Sequence, residues 1–173
     1  GTDVSCNIGG AAAFANDFSR LGWTFSKPAI GTVSVCPAGV TTCSFTQLEE
    51  VGVAVFGAGS GEGLPAGSGR SVFVVRLDTG EKLAEFPSGG GNVDAGCSGE
   101  GNLITADMVG DVSCFSTFPG TFISRCFLGD AAGRLWRLEI GDPGTPNWNL
   151  TLFYDPYASF NPVPDPDAEI RSP

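Results

Sequence analysis

The sequence predicts an all-β fold made of about two four-stranded blades of a β-propeller, stapled by disulfides. Three observations lead there. A segment occurs twice: residues 71–86 (Ser-Val-Phe-Val-Val-Arg-Leu-Asp-Thr-Gly-Glu-Lys-Leu-Ala-Glu-Phe) and residues 125–140 (Arg-Cys-Phe-Leu-Gly-Asp-Ala-Ala-Gly-Arg-Leu-Trp-Arg-Leu-Glu-Ile) each read as an apolar strand, an Asp-containing turn closed by Gly, and a second strand. Repeats about 50 residues apart, made of short strands and Gly turns, are the signature of propeller blades. The composition agrees: 26 Gly and 12 Pro among 173 residues, with plentiful aromatic and β-branched side chains, favour many short strands over helices. Finally, residues 51–59 (Val-Gly-Val-Ala-Val-Phe-Gly-Ala-Gly) form a nearly continuous apolar run, as expected for a strand buried on both faces.

The elements follow in order. Residues 1–21 are an N-terminal extension, within which 11–21 is the one plausible helix. The partial propeller spans 22–154, with blade-like units at 22–86 and 102–154. In the first unit, 23–35 reads as an extended strand broken at Lys27-Pro28, 36–50 as a polar excursion closed by cysteines, 51–59 as the buried strand, and 60–69 as a Gly-rich loop. A hairpin of 71–77 and 82–86 then turns at Asp78-Thr79-Gly80. Residues 87–101 form a long Gly-rich connection. The second unit opens with a strand at 102–108, carries a cysteine-bearing insertion at 109–121, forms a hairpin of 124–128 and 134–140, and ends in a strand at 148–154. The tail 155–173 holds Pro156, Pro162, Pro164, Pro166 and Pro173, which disfavour ladder pairing and suit a linker or an extended arm. Closed propellers have roughly four to eight blades, and two blades leave open sheet edges. The expectation is that further blades of a longer parent chain, or neighbouring copies, cover them.

The cysteines and the charge bound the function. Six cysteines, an even number, point to an oxidising compartment. Cys36 and Cys43 flank one short loop and Cys114 and Cys126 another, so the preferred pairs are Cys36–Cys43 and Cys114–Cys126, leaving Cys6–Cys97 as a long-range bridge; other pairings stay open. A zinc site is disfavoured, because there is no Cys-x-x-Cys pair and no His. A net charge of −10 with nine Lys and Arg repels phosphate backbones and anionic lipid, which argues against nucleic-acid and membrane-surface partners. No apolar run approaches the roughly 20 residues of a membrane span.

Catalysis is poorly supported. Without His the commonest general base is missing. Ser60 is not in a nucleophile elbow, and paired thiols are poor nucleophiles. Glu49-Glu50 reads as solvated. The glycines of 57–63 lack the Lys and Ser/Thr of a phosphate loop. Asp78 and Asp130, at matching places in the repeat, read as turn caps. Trp136, Phe73, Phe127 and Trp23 read as packing between blades, with an aromatic floor for a bound cofactor or sugar as the alternative. Asn149-Leu150-Thr151 fits a glycosylation pattern, which a bacterial source would make incidental.

The order of motifs resembles the propeller domain of PilY-family proteins, the tip-associated adhesins and assembly factors of bacterial type IV pili. The matching pieces are Leu21-Gly22-Trp23-Thr24-Phe25-Ser26-Lys27-Pro28-Ala29-Ile30, Val53-Ala54-Val55-Phe56-Gly57-Ala58-Gly59, residues 72–86, and Cys126-Phe127-Leu128-Gly129-Asp130-Ala131-Ala132-Gly133-Arg134-Leu135-Trp136-Arg137-Leu138, with Glu169-Ile170-Arg171-Ser172-Pro173 similar to the opening of a further blade. The resemblance covers about residues 21–140. It implies a non-enzymatic protein of the pilus or cell surface, exported through the periplasm, whose partners are pilins, minor pilins or a surface ligand. Loops 36–50, 60–70, 87–101 and 109–121 would make the contacts. Family members often carry an Asp-rich calcium loop where this chain has Asp107-Met108-Val109-Gly110-Asp111. Asp107 and Asp111 are therefore weak calcium candidates, since two carboxylates fall short of the roughly six to eight oxygens calcium takes. The expectation is no cofactor, with the cysteine-closed loop 114–126 as a covalent staple in place of a metal. Two alternatives remain: a structural subunit of an extracellular filament, and a fragment of a periplasmic quinoprotein dehydrogenase.

Overall fold

The computed structural model describes residues 6–7, 17–37, 43–87, 104–116, 122–140 and 147–157. The fold is all-β. Strands β2 (Ala29–Val35), β3 (Glu49–Gly57), β4 (Ser71–Arg76) and β5 (Lys82–Pro87) form one antiparallel meander in chain order. Strands β6 (Ser113–Phe115), β7 (Arg125–Gly129), β8 (Leu135–Glu139) and β9 (Asn147–Tyr154) form a second. The two-residue strand β1 (Cys6–Asn7) pairs with β9, so the second sheet gains a fifth strand at its outer edge.

The strands form where short runs alternate between two environments. In β3, Val51, Val53 and Val55 point into the core while Gly52 is exposed and Ala54 and Phe56 are half-buried. The apolar run at 51–59 is thus not equally buried on both faces. Its alternation was hidden because Ala54 and Phe56, on the far face, are apolar too. In β7 and β8 the pattern is stricter: Cys126, Leu128, Trp136 and Leu138 are buried between half-buried neighbours. These residues and the valines of the first sheet belong to one cluster, which also holds Ile104, Met108 and Trp148. Each aliphatic side chain buried here contributes roughly 1.5–3 kcal/mol. A sheet with one apolar face must bury it, and each of these two sheets is the other's cover.

The strand registers reveal how the repeat is built. Gly57 pairs with Val72, Phe56 with Phe73 and Val55 with Val74; equivalently, Gly129 pairs with Leu135, Leu128 with Trp136 and Phe127 with Arg137. Hairpin β3–β4 is therefore the counterpart of β7–β8. The sequence repeat of 71–86 against 125–140 is out of phase by one strand: it lays β4–β5 on β7–β8, because any strand–Gly turn–strand unit resembles the next in a meander.

This equivalence fixes a stacking rule. The face of the second sheet that meets the first carries Leu128, Trp136 and Leu138. Its counterparts in the first sheet, Phe56, Phe73 and Val75, lie on the far side from the shared core. There Phe73 is fully buried against Phe56 and Phe18, with ring centroids 5.6 Å apart in each pair. Lys82 lies over both Phe18 and Phe73, bonds the Asp17 carbonyl and pairs with Glu85, which also takes Arg20 at 3.1 Å. Residues 17–20 thus cover part of this face. They form a turn, with Leu21 N–H donating to Phe18 C=O, and not the C-terminal part of the expected helix at 11–21; residues 11–16 lie outside the described residues. The sheets consequently stack head to tail, one kind of face on the other.

The expected strand at 102–108 is absent from its described part, 104–108. Its backbone groups are used elsewhere: Met108 N–H donates to Gly69 C=O, Met108 C=O accepts from Gly59 N–H, and Asp107 C=O accepts from Ala131 N–H. The second meander starts instead at β6, inside what the sequence suggested was an insertion. Residue Phe122 bridges Thr32 in parallel, and Ile123 N–H donates to Thr32 C=O at 2.9 Å, so the first strands of the two sheets adjoin.

Candidate functional site

At one end of the sheets, segments 20–24, 57–61, 68–70 and 107–110 cross at backbone distance. Gly22 N–H donates to Ala58 C=O, Trp23 and Ser60 exchange a bond pair, and Gly69 N–H donates to Arg20 C=O. Only glycine fits at the crossing points. A Cβ on Gly57 would sit 2.3 Å from the Met108 carbonyl oxygen, and one on Gly59, whose φ is +85°, 2.2 Å from that of Trp23. This is the physical reason for the Phe56-Gly57-Ala58-Gly59 motif.

The two sheets differ at this end. After Gly57, Ala58 N–H donates to Ser71 C=O; after Gly129, Asp130 N–H donates to Arg134 C=O, so the two turns begin and end alike. Between those anchors the second sheet needs only residues 131–133, whereas the first carries 59–70. The elaborated loop and Asp107 border a half-open cavity of about 250 Å³, lined among others by Glu62, Ser68 and Arg70. Asp107 organises it. Its Oδ2 accepts from Gly61 N–H at 2.9 Å and from the Ser60 hydroxyl at 3.3 Å, and its Oδ1 lies 3.5 Å from Arg70 Nε. Beside the loop stands Trp23, 63 % exposed, its Nε1–H donating to the Glu62 carbonyl at 3.2 Å.

The other calcium candidate, Asp111, is placed differently: its carboxylate accepts from Lys27 N–H at 2.7 Å. Among the described residues, no group of three or more His, Cys, Asp or Glu side chains is placed to hold a metal ion.

The two turn aspartates are not equivalent. Asp130 is buried; its Oδ1 accepts from the N–H groups of Ala132 and Arg134 at 3.0 Å each, and its Oδ2 from Arg134 Nε at 2.7 Å and Trp136 Nε1 at 2.9 Å. Asp78 is exposed and bonds Arg76 Nε at 2.8 Å, while the Thr79 hydroxyl accepts from Glu81 N–H in the turn. The Arg76 hydrogen bond, first among its causes, holds the Asp78 carboxyl below the usual aspartate value. Hydrogen bonds from the Ser19 backbone and hydroxyl do the same for Asp17. Backbone pairing explains the mismatch: Arg76 N–H donates to Glu81 C=O and Gly80 N–H to Arg76 C=O, so Arg76 holds the turn position that Asp130 holds in the other hairpin.

Disulfides join Cys36 to Cys43 and Cys114 to Cys126. The first closes the excursion after β2; the second links residues directly opposite on β6 and β7. Cys97 lies outside the described residues, as do 88–101 of loop 87–101, 38–42 of loop 36–50 and 117–121 of the insertion. Such bridges fit an oxidising compartment. Among the described residues, no helix is long and apolar enough to cross a membrane. Trp136 lies in the shared core, whereas Phe73 and Phe127 lie on the two outer faces. On the outward face of the second sheet, Phe127 stacks on Phe115 at 5.8 Å and meets Phe153 edge-on at 5.1 Å. Phe115 and Phe153 are 45 % and 52 % exposed. Thr151 of the glycosylation pattern is buried, and Glu49 and Glu50 are exposed at the start of β3.

Sequence reasoning missed Glu62, Ser68 and Arg70 as a group. The usable signal was the unequal length of equivalent turns, which the out-of-phase repeat concealed. Compared with known proteins, the chain matches no family model, no curated protein and no solved structure.

Proposed function

We propose that this chain is a two-blade stretch of a β-propeller, a non-enzymatic segment of a type IV pilus tip-associated adhesin or assembly factor that works through protein or surface contacts. The observation that carries the propeller reading is the head-to-tail stacking of the two meanders. An interface that joins one kind of face to another repeats by rotation, and it closes into a ring when the rotation allows. The outward face of the second sheet, with Phe127, Leu135 and Arg137, is equivalent to the face of the first that carries Val55, Val72 and Val74 and is buried. That outward face is mixed, with Phe115 and Phe153 half-exposed beside the ion-paired Arg125, Arg137 and Glu139, and its exposed aromatic rings favour cover by a further sheet, supplied by the same polypeptide or by a neighbour. The pilus assignment rests on the PilY-like motifs, whose glycines and turn Asp the fold uses at its most crowded points. The disulfides fit a protein exported from the cytoplasm.

The test is the size and location of the native protein. Appendages sheared from source cells are probed with an antibody to residues 1–173. A band far larger than this chain, substoichiometric to pilin in the sheared fraction, is the expected result. A band of this chain's own size, abundant along the fibre, would replace the reading with a filament subunit, and a periplasmic band would favour a quinoprotein enzyme.

A further inference from the structure

We propose that the cavity under residues 61–70, with the exposed indole of Trp23 beside it, binds one ring of a neutral saccharide. The inference deepens the adhesive reading above, on which it rests, by naming a ligand class for loop 60–70. At about 250 Å³ the cavity falls below the roughly 300–1,000 Å³ of drug-sized sites, so it suits a single ring. Its polar groups are mixed in kind. Ser68, only 5 % exposed, lines the cavity with a hydroxyl that can both donate and accept. Arg70 engages Asp107 through Nε, which leaves the outer guanidinium nitrogens as further donors. The carboxylates of Asp107 and Glu62 are acceptors. Ring hydroxyls, each both donor and acceptor, match such a set, whereas an anion would meet two carboxylates against one guanidinium on a chain of net charge −10. The indole is pinned by its Nε1 bond to Glu62 while most of its surface stays open, and so offers an apolar face against the C–H side of a sugar. The equivalent turn 131–133 of the other sheet has no such loop, so the elaboration is not required to close a hairpin.

The full chain is titrated with methyl mannoside, methyl galactoside, N-acetylglucosamine and galacturonate, read by saturation-transfer NMR and by tryptophan emission. The expected result is saturable, weak binding of at least one neutral sugar. It is lost in Trp23→Ala, weakened tenfold or more in Arg70→Met and largely kept in Trp23→Phe, with circular dichroism unchanged in all three. Lack of binding by every neutral sugar, preference for galacturonate, or equal binding by Trp23→Ala would each overturn the proposal. Failure here would leave the pilus reading standing on native size and location, which are measured separately.

Discussion

Replacing Asp130 is the sharpest test of how the second hairpin is held. The carboxylate is fully buried and accepts four hydrogen bonds, from two turn N–H groups, Arg134 Nε and Trp136 Nε1. In Asp130→Ala the indole N–H of Trp136 stays buried with no acceptor there, and the Arg134 guanidinium, 11 % exposed, loses its carboxylate. An orphaned buried donor costs about 1–3 kcal/mol, and breaking a buried ion pair from one side costs about 3–5 kcal/mol. The two overlap, since one oxygen serves both, so the expected loss is about 3–5 kcal/mol rather than their sum. That is a large share of the roughly 5–15 kcal/mol available to a domain. Asp130→Asn keeps the shape but turns an amide N–H toward one set of donors, and should cost about 2–3 kcal/mol. The exposed Asp78→Ala serves as the control, with no resolvable change in stability expected. Urea unfolding of the oxidised protein, followed by tryptophan emission, measures all three. A loss below about 1 kcal/mol for Asp130→Ala, or an equal loss for Asp78→Ala, would refute the reasoning.

The glycine crossing predicts that Gly57→Ala, whose Cβ would meet the Met108 carbonyl at 2.3 Å, destabilises by at least about 1–3 kcal/mol. Gly63→Ala, with φ +73° and open space around it, should cost only about 1 kcal/mol; thermal unfolding of the pair separates clash from backbone strain. Double replacement Cys114→Ser with Cys126→Ser opens a bridge of sequence separation 12 and should lower stability by about 2–3 kcal/mol in guanidinium titration. The folded-state value of Asp78 is depressed, so its ion pair contributes stability above the unfolded-state value near 3.8 and loses it as pH falls through the lower folded value. Carboxyl chemical shifts followed from neutral to strongly acidic pH should show Asp78 titrating below ordinary aspartates, and Arg76→Gln should return it upward.

Strands and tight turns were legible because they obey local rules. Gly80 and Gly133 take positive φ at the hairpin turns, and β3, β4, β7, β8 and β9 fall within a few residues of where alternation and turn residues place them. What the sequence hid was non-local. Residues 102–108 have strand composition, yet at Asp107 and Met108 their backbone bonds close on Gly59, Gly69 and Ala131 rather than on a ladder. The phase of the repeat depends on which strand pairs with which, and Leu-Trp-Arg-Leu matches Val-Phe-Val-Val as well as any other apolar run. That error made Asp78 and Asp130 look alike. The Asp107 carboxylate joins two parts of the chain 46 residues apart, a contact no short motif encodes.

The central claim is that each meander is one blade in a stack, so the outward face of the second sheet is covered in the native assembly. Hydroxyl-radical footprinting of Phe115, Phe127 and Phe153 tests this most directly, with the isolated 173-residue chain compared against the same residues in the native protein. The account predicts strong labelling of Phe115 and Phe153 in the isolated chain and protection of all three in the native protein, while exposed Phe25 is labelled in both. Equal labelling of Phe115 and Phe153 in the two samples would mean that no further sheet stacks on this face, and the propeller reading would fall.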